Sequence, residues 1–150
     1  MRGKLLAILA VSVLFITGCG NNERTLTCTN SEDSDGLTMD QEVTMTFKDD
    51  KVTYVKMSID NKATDDLIIE NWDMFASMME SQFEETDSDG VSLTTENDAT
   101  NHTFNVSLEI DLENASEDAL AEYGLDGITD ENSNYEQTKE DAEADGFTCK

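Results

Sequence analysis

A chain of 150 residues with nine Lys and Arg against 34 Asp and Glu carries a formal charge of −25. So acidic a chain repels nucleic acid and bare anionic lipid headgroups, which sets nucleic-acid binding aside. The length allows one domain, and the clear apolar periodicity in the middle of the chain excludes disorder there.

The chain opens with Arg2 and Lys4, an apolar run Leu5–Ile16 and the closing step Ile16-Thr17-Gly18-Cys19. A basic head, about a dozen apolar residues and a small residue before the cut describe a secretory signal peptide. An uncleaved anchor needs roughly 18 or more apolar residues, which this run does not reach. The cysteine directly after Gly18 makes the segment resemble a bacterial lipobox, which implies cleavage before Cys19 and transfer of a diacylglyceryl group, with palmitate-type chains, to its sulfur. Two acyl chains anchor a protein stably where one binds only marginally. Residues 1–18 are therefore expected to be a lipoprotein signal peptide, 19–24 the lipidated cysteine and a short tether, and 25–150 a single domain. The expected location is the extracytoplasmic face of the cell membrane, with the membrane itself as partner through Cys19. Loss of Arg2 and Lys4 leaves seven basic residues against 34 acidic ones, or −27.

With Cys19 assigned to lipid, two of the three cysteines remain, Cys28 and Cys149. In an exported chain they are expected to form a disulfide joining the start of the domain to its end; the alternative is two free thiols. Neither lies in a CxxC motif, which argues against thiol–disulfide exchange as the activity.

Thr25–Thr29 is short and rich in β-branched residues and reads as a strand, and Asn30–Gly36 reads as a polar loop ending in an Asp-Gly turn. From Leu37 to Phe47 the residues alternate, with Met39, Val43, Met45 and Phe47 on one face and Gln41 the exception. Lys48-Asp49-Asp50-Lys51 is a polar turn. Val52–Ile59 then resumes with Val55, Met57 and Ile59 on one face, so the two runs predict a β-hairpin. Asp65–Glu85 changes period: Ile68, Trp72, Phe75 and Met79 form a helical stripe, widened by Leu67, Met74, Met78 and Phe83. This predicts one amphipathic helix capped by Thr64 or Asp65, its stripe packing on a sheet rather than lining a ligand groove.

Asp87-Ser88-Asp89-Gly90 reads as a turn, Val91–Thr95 as a strand and Asn97–Asn101 as a polar loop. His102–Glu113 has the cleanest alternation, with Phe104, Val106, Leu108, Ile110 and Leu112 on one side, and predicts a strand with one buried face. Glu117–Tyr123 is a short helix capped by Ser116 and stopped by Gly124, Asp126–Ser133 a loop, and Tyr135–Ala144 a mostly polar helix. The fold class expected from these elements is α+β, a two-layer sandwich with an antiparallel β-sheet packed on one side by helices.

Five blocks carry a family resemblance: the lipobox Cys19, Leu26-Thr27-Cys28-Thr29, Met45-Thr46-Phe47-Lys48-Asp49-Asp50-Lys51-Val52-Thr53, Met79-Glu80-Ser81-Gln82-Phe83 and the ending Asp145-Gly146-Phe147-Thr148-Cys149-Lys150. On these the chain resembles the YehR-like family of small, uncharacterised bacterial lipoproteins, particularly their Gram-positive relatives. The resemblance implies a two-layer α/β lipoprotein domain and transfers no catalytic residue.

Candidate chemistry is sparse. Ser31-x-Asp33-x-Asp35-Gly36 with Glu42, and Glu85-x-Asp87-x-Asp89-Gly90 with Glu96, both approach the EF-hand calcium loop, which wants Asp at its first position, acid or Asn at the third and fifth, Gly at the sixth and Glu at the twelfth. Both lack the first ligand type and both run into strands, so the competing reading is a tight turn. The pair also suggests an internal β–α duplication. A metal site at Asp33, Asp35, Glu42, Asp87, Asp89 and Glu96 would take Ca2+; otherwise no cofactor is expected. The single histidine, His102, excludes a His-rich metal site, and no GxSxG, P-loop or dinucleotide fingerprint occurs. Lys48, Lys51, Lys56 and Lys62 lie on or near the hairpin, either as a docking face for an acidic partner or the anionic cell envelope, or as charge balance against the surrounding acids. The sequence thus predicts a non-enzymatic, lipid-anchored extracytoplasmic domain that binds an unidentified protein or envelope partner. Two alternatives stand beside it: a Ca2+-responsive lipoprotein, and an accessory lipoprotein of a membrane transporter or envelope complex.

Overall fold

Within residues 22–83, 85–122 and 134–150, which the computed structural model describes, seven antiparallel strands form one sheet. The chain order is β1 (Glu23–Ser34), β2 (Leu37–Lys48), β3 (Lys51–Ala63), α1 (Asp66–Glu70), α2 (Trp72–Glu80), β4 (Thr86–Ser88), β5 (Val91–Asp98), β6 (Thr103–Asp111), α3 (Glu117–Glu122), α4 (Tyr135–Ala144) and β7 (Thr148–Cys149). The strands lie side by side as β4-β5-β6-β3-β2-β1-β7, a sheet-rich α+β fold. The signal peptide, Cys19, and the expected helix stop and loop at Tyr123–Ser133 lie outside the described residues.

Two three-stranded meanders build the sheet, β1–β3 and β4–β6, and they meet through their third strands. The register places Val55 opposite Ile110, Met57 opposite Leu108, Ile59 opposite Val106 and Asn61 opposite Phe104. Because side chains alternate across a strand, this row continues through Leu26 and Cys28 on β1 and Val91 and Leu93 on β5. Helical residues pack against that same side in two clusters. Leu120, Tyr135 and Ala142 lie against Leu26, Phe47, Val55 and Ile110, while Trp72 and Ala76 lie against Ala63, Leu93, Phe104 and Val106. Phe47, Phe104, Leu26 and Ile110 are wholly buried.

A bulge reconciles Val52 with this pattern. Phe47 pairs with Val52 but Thr46 pairs with Tyr54, so Thr53 is an extra residue. Val52 and Val55 are three apart and would face opposite sides in a regular strand; the bulge turns both into the core.

Both meanders open with a two-residue Asp-Gly turn. Asp35 and Gly36 have φ of 49° and 82°, Asp89 and Gly90 of 51° and 76°. Positive φ at both central residues is what a tight hairpin of the twist-compatible type requires, and Asp-Gly supplies it. In each half the turn glycine meets the chain leaving the third strand. The Gly36 carbonyl accepts from the Thr64 and Asp65 amides at 2.8 and 3.1 Å, and the Gly90 carbonyl from the Asp111 amide at 2.8 Å. A Cβ on Gly36 would collide with Asp65, and one on Gly90 with Asn114 and Ala115. The two halves thus repeat one topology, a three-stranded meander opened by an Asp-Gly turn.

Several boundaries differ from the sequence reading. β1 extends to Ser34, so the expected loop at Asn30–Gly36 shrinks to the turn. Pairing with β2 outweighs the polar composition, helped by Ser31 donating to Asp40 and Thr38 donating to Asp33, each at 2.5 Å. β1 also begins at Glu23, which takes Glu23 and Arg24 out of the expected tether. Arg24 packs 3.6 Å from the Tyr135 ring centre and reaches Glu136 at 2.8 Å, while Tyr135 meets Phe47 edge-on.

The single helix expected over Asp65–Glu85 is two, broken at Asn71. The Asn71 amide bonds to the Ile68 and Ile69 carbonyls and its side chain to the Leu67 carbonyl. Its own carbonyl accepts from the Met74 and Phe75 amides, so one residue ends α1 and starts α2. Asp65 caps α1 as anticipated. The expected turn at Asp87–Gly90 is partly strand, because β4 pairs with β5.

β7 pairs with β1, bringing Cys28 opposite Cys149. Thr27 and Lys150 exchange both backbone hydrogen bonds at 3.1 and 3.0 Å, so the cysteines occupy the adjacent non-hydrogen-bonded pair, where side chains approach closest. The disulfide joins them across a separation of 121 residues. A loop of that size limits the unfolded chain by about 4–5 kcal/mol in the chain-entropy account. Urea unfolding of the Cys28→Ser/Cys149→Ser chain is therefore expected to show a loss approaching that figure; a loss below about 1 kcal/mol would mean that the bridge adds little to β7 docking.

Candidate functional site

The Asp-Gly hairpins decide where the candidate calcium ligands lie. Asp33 is paired with Thr38 inside the β1–β2 ladder and Asp35 sits in the turn. Glu42 is four residues beyond Thr38 on β2, about 14 Å along the strand. The second set repeats this, with Asp87 opposite Ser92, Asp89 in the turn and Glu96 four residues further along β5. The hairpins thus separate each Glu from its turn instead of wrapping the sequence around one point. Among the described residues no group of three or more His, Cys, Asp or Glu is positioned to hold a metal ion.

Asp33, Glu42, Asp87 and Glu96 all belong to the sheet face opposite the two helix-packed clusters. This face is polar along every strand. A shallow recess of about 560 Å3 on it is bordered by Thr29, Ser31, Asp40, Glu42, Ser58 and Asp60. The four hairpin lysines lie on the same face. Lys56 reaches Glu109 at 2.6 Å and Lys48 reaches Glu113 at 3.7 Å, so two of them balance local acids. Tyr54 donates to the other Glu109 oxygen at 2.7 Å. The bonds from Lys56 and Tyr54 hold the Glu109 carboxylate below its ordinary range. Burial first, and then the bond to Glu109, push the Tyr54 phenol up to about 12.

At the end of the sheet remote from Glu23, α1 and α2 form an elbow over β5 and β6. Trp72 is buried there, donating from its ring nitrogen to Asn97 at 3.0 Å and meeting the His102 ring edge-on. His102 has φ of 51° in the β5–β6 turn, and its carbonyl accepts from the Ala63 amide. It serves as a turn and packing residue. A recess of about 360 Å3 beside it is bordered by Ile69, Trp72, Met74 and His102.

The elbow corrects the apolar stripe. Ile68, Trp72, Phe75, Met79 and Phe83 turn inward as anticipated, joined by Ala76. Leu67, Met74 and Met78 are instead 71%, 72% and 52% exposed. A helix lays only one side on a sheet, and a stripe this wide overflows it. The overflow was legible as a second apolar row offset by one residue from the first, with Asp66, Glu70, Asp73 and Glu80 forming a third row beside it.

In overall fold the chain is similar to the NMR structure of the protein from Streptococcus pneumoniae TIGR4. The TM-score is 0.55 at 17% identity, covering 100% of this chain and 96% of that chain. The likeness is one of fold alone. No family model matches the chain, and no curated protein does.

The Tyr54–Glu109 contact makes a titration prediction. The folded pKa of Tyr54 lies above its ordinary 10.0, so the fold loses stability as pH rises from about 10 through about 12. Ultraviolet titration of Glu109→Gln is expected to bring Tyr54 down while leaving it above 10, because burial is the larger cause. An unchanged titration would show that Glu109 does not hold the phenol.

Proposed function

We propose that the chain is a non-enzymatic, lipid-anchored extracytoplasmic binding module of the YehR-like kind. Its domain is a two-layer sandwich with one wet face, held beside the membrane by acylated Cys19. The observation that carries this reading is the Cys28–Cys149 bridge, which suits an oxidising compartment outside the cytoplasm. It stands beside the lipobox-like step Gly18-Cys19 of the sequence. Among the described residues no helix is long and apolar enough to cross a membrane, and in this reading attachment falls to the lipid. The start of β1 at Glu23 leaves four residue steps from Cys19, a reach of about 14 Å. The module therefore lies against the membrane at the Glu23–Lys48 end of its sheet, with the elbow held at the far end.

Fractionation and protease shaving of intact Gram-positive cells making the full chain test this reading. The protein is expected in the membrane fraction, open to external protease, with Cys28 and Cys149 resistant to thiol alkylation until reduced. Cys19→Ala is expected to release it and block its processing. Retention and processing of Cys19→Ala as for the parent chain, or protease resistance on intact cells, would overturn the reading.

A further inference from the structure

The exposed row on the elbow has a definite chemistry. Met74 and Met78 lie one turn apart on one side of α2, and Leu67 lies on α1 beyond the break at Asn71, whose bonds to the Leu67 and Ile68 carbonyls and from the Met74 and Phe75 amides join the two helices. Leu67, Asn71, Met74 and Met78 are all exposed. Asp66 and Glu70 lie one turn apart on α1, and Asp73 and Glu80 two turns apart on one side of α2, so an acidic row accompanies the apolar residues along both helices. Every charge within α1 and α2 is negative. Beneath, Trp72, Ala76 and Met79 fix both rows to the sheet.

We propose that this Leu67–Met74–Met78 strip is a docking surface for a basic amphipathic segment of a partner protein, its apolar side on the methionines and its Lys or Arg residues along the acidic row. Unbranched, polarisable methionine adapts to varied apolar partners, and an acidic flank selects a basic one and speeds its encounter. A second copy of this chain fits poorly, since its own α1 and α2 carry no basic residue to meet the acidic row. The anchoring membrane fits poorly too. β3 has 13 residues from Lys51, beside the tether, to Ala63, which leads into α1, so the elbow stands about 40 Å along the sheet from the tether end. Anionic headgroups would also meet the acidic row. This assignment rests on the proposed binding-module reading and names its partner class.

The test uses the lipidated full chain, purified from bacterial membranes into phosphatidylcholine nanodiscs. The probe is a fluorescein-labelled 18-residue helical peptide of Leu and Lys, with a Leu and Glu peptide as control. Binding is expected for the Lys peptide alone and should weaken by at least about tenfold in Leu67→Ser/Met74→Ser/Met78→Ser, three exposed positions whose polar replacement removes apolar contact and no charge. Methionine methyl NMR gives a readout independent of any variant. The Met74 and Met78 signals should shift on peptide addition, while those of Met45 and Met57 within the sheet hold. Equal binding to the triple variant, with no selective methyl shift, would reduce the effect to diffuse attraction by an acidic surface and overturn the proposal. So would the absence of binding at micromolar peptide, or peptide-independent pairing of the chain through the strip. Association with the discs is read separately by flotation, which keeps a failed anchor distinct from a failed docking surface.

Discussion

Pairing between β3 and β6 fixes the position of nearly everything else in the fold. It joins two meanders that each could bury only part of an apolar face, and it aligns Val55, Met57, Ile59 and Asn61 with Ile110, Leu108, Val106 and Phe104. Because strand side chains alternate, a slip of one residue would move Phe104 and Ile110 to the polar face and bring Asn105 and Glu109 inward. The helix-packed clusters, the polar face and the elbow all assume the observed register. Asn61, the buried polar residue of this row, donates to the Phe104 carbonyl at 3.3 Å and so costs no unpaired group.

Smaller devices hold the ends of this frame. The Asp-Gly turns return β1 to β2 and β4 to β5, and each glycine also receives the chain leaving its meander. At the edge, β7 is only two residues long, too short to hold by ladder bonds alone, and the disulfide fixes it. Arg24 ties the first strand to the start of α4, the last helix.

Much of this was readable where one face is buried and the other wet. β2, β3, β6 and α4 follow directly from alternation or helical period, as does the placement of Lys56 on the polar face, whereas Lys51 reaches that face only through the bulge at Thr53. Elements stabilised by pairing rather than composition were harder to see. The polar half of β1 and the short β4 and β7 carry weak strand signals and exist because a neighbour supplies the ladder. The break at Asn71 depends on a side chain competing for the Leu67 carbonyl, which no periodicity reports. For the candidate site, the acidic Asp-Gly motifs were conspicuous, and their Asp-Gly pairs form the two hairpin turns. The second row of Leu67, Met74 and Met78 was visible, but its exposure was not, because an apolar row on a helix looks the same whether it meets a sheet or water.

In this account a sheet held together by the β3–β6 pairing carries a helical elbow at the end remote from Glu23. Native-state hydrogen exchange tests that claim most directly. Amides of β3 and β6 are expected to exchange most slowly, at the rate of global unfolding, with α1 and α2 opening locally and faster. Exchange in β3 and β6 as fast as in the elbow, or maximal protection confined to β1 and β2, would contradict the central role of their pairing.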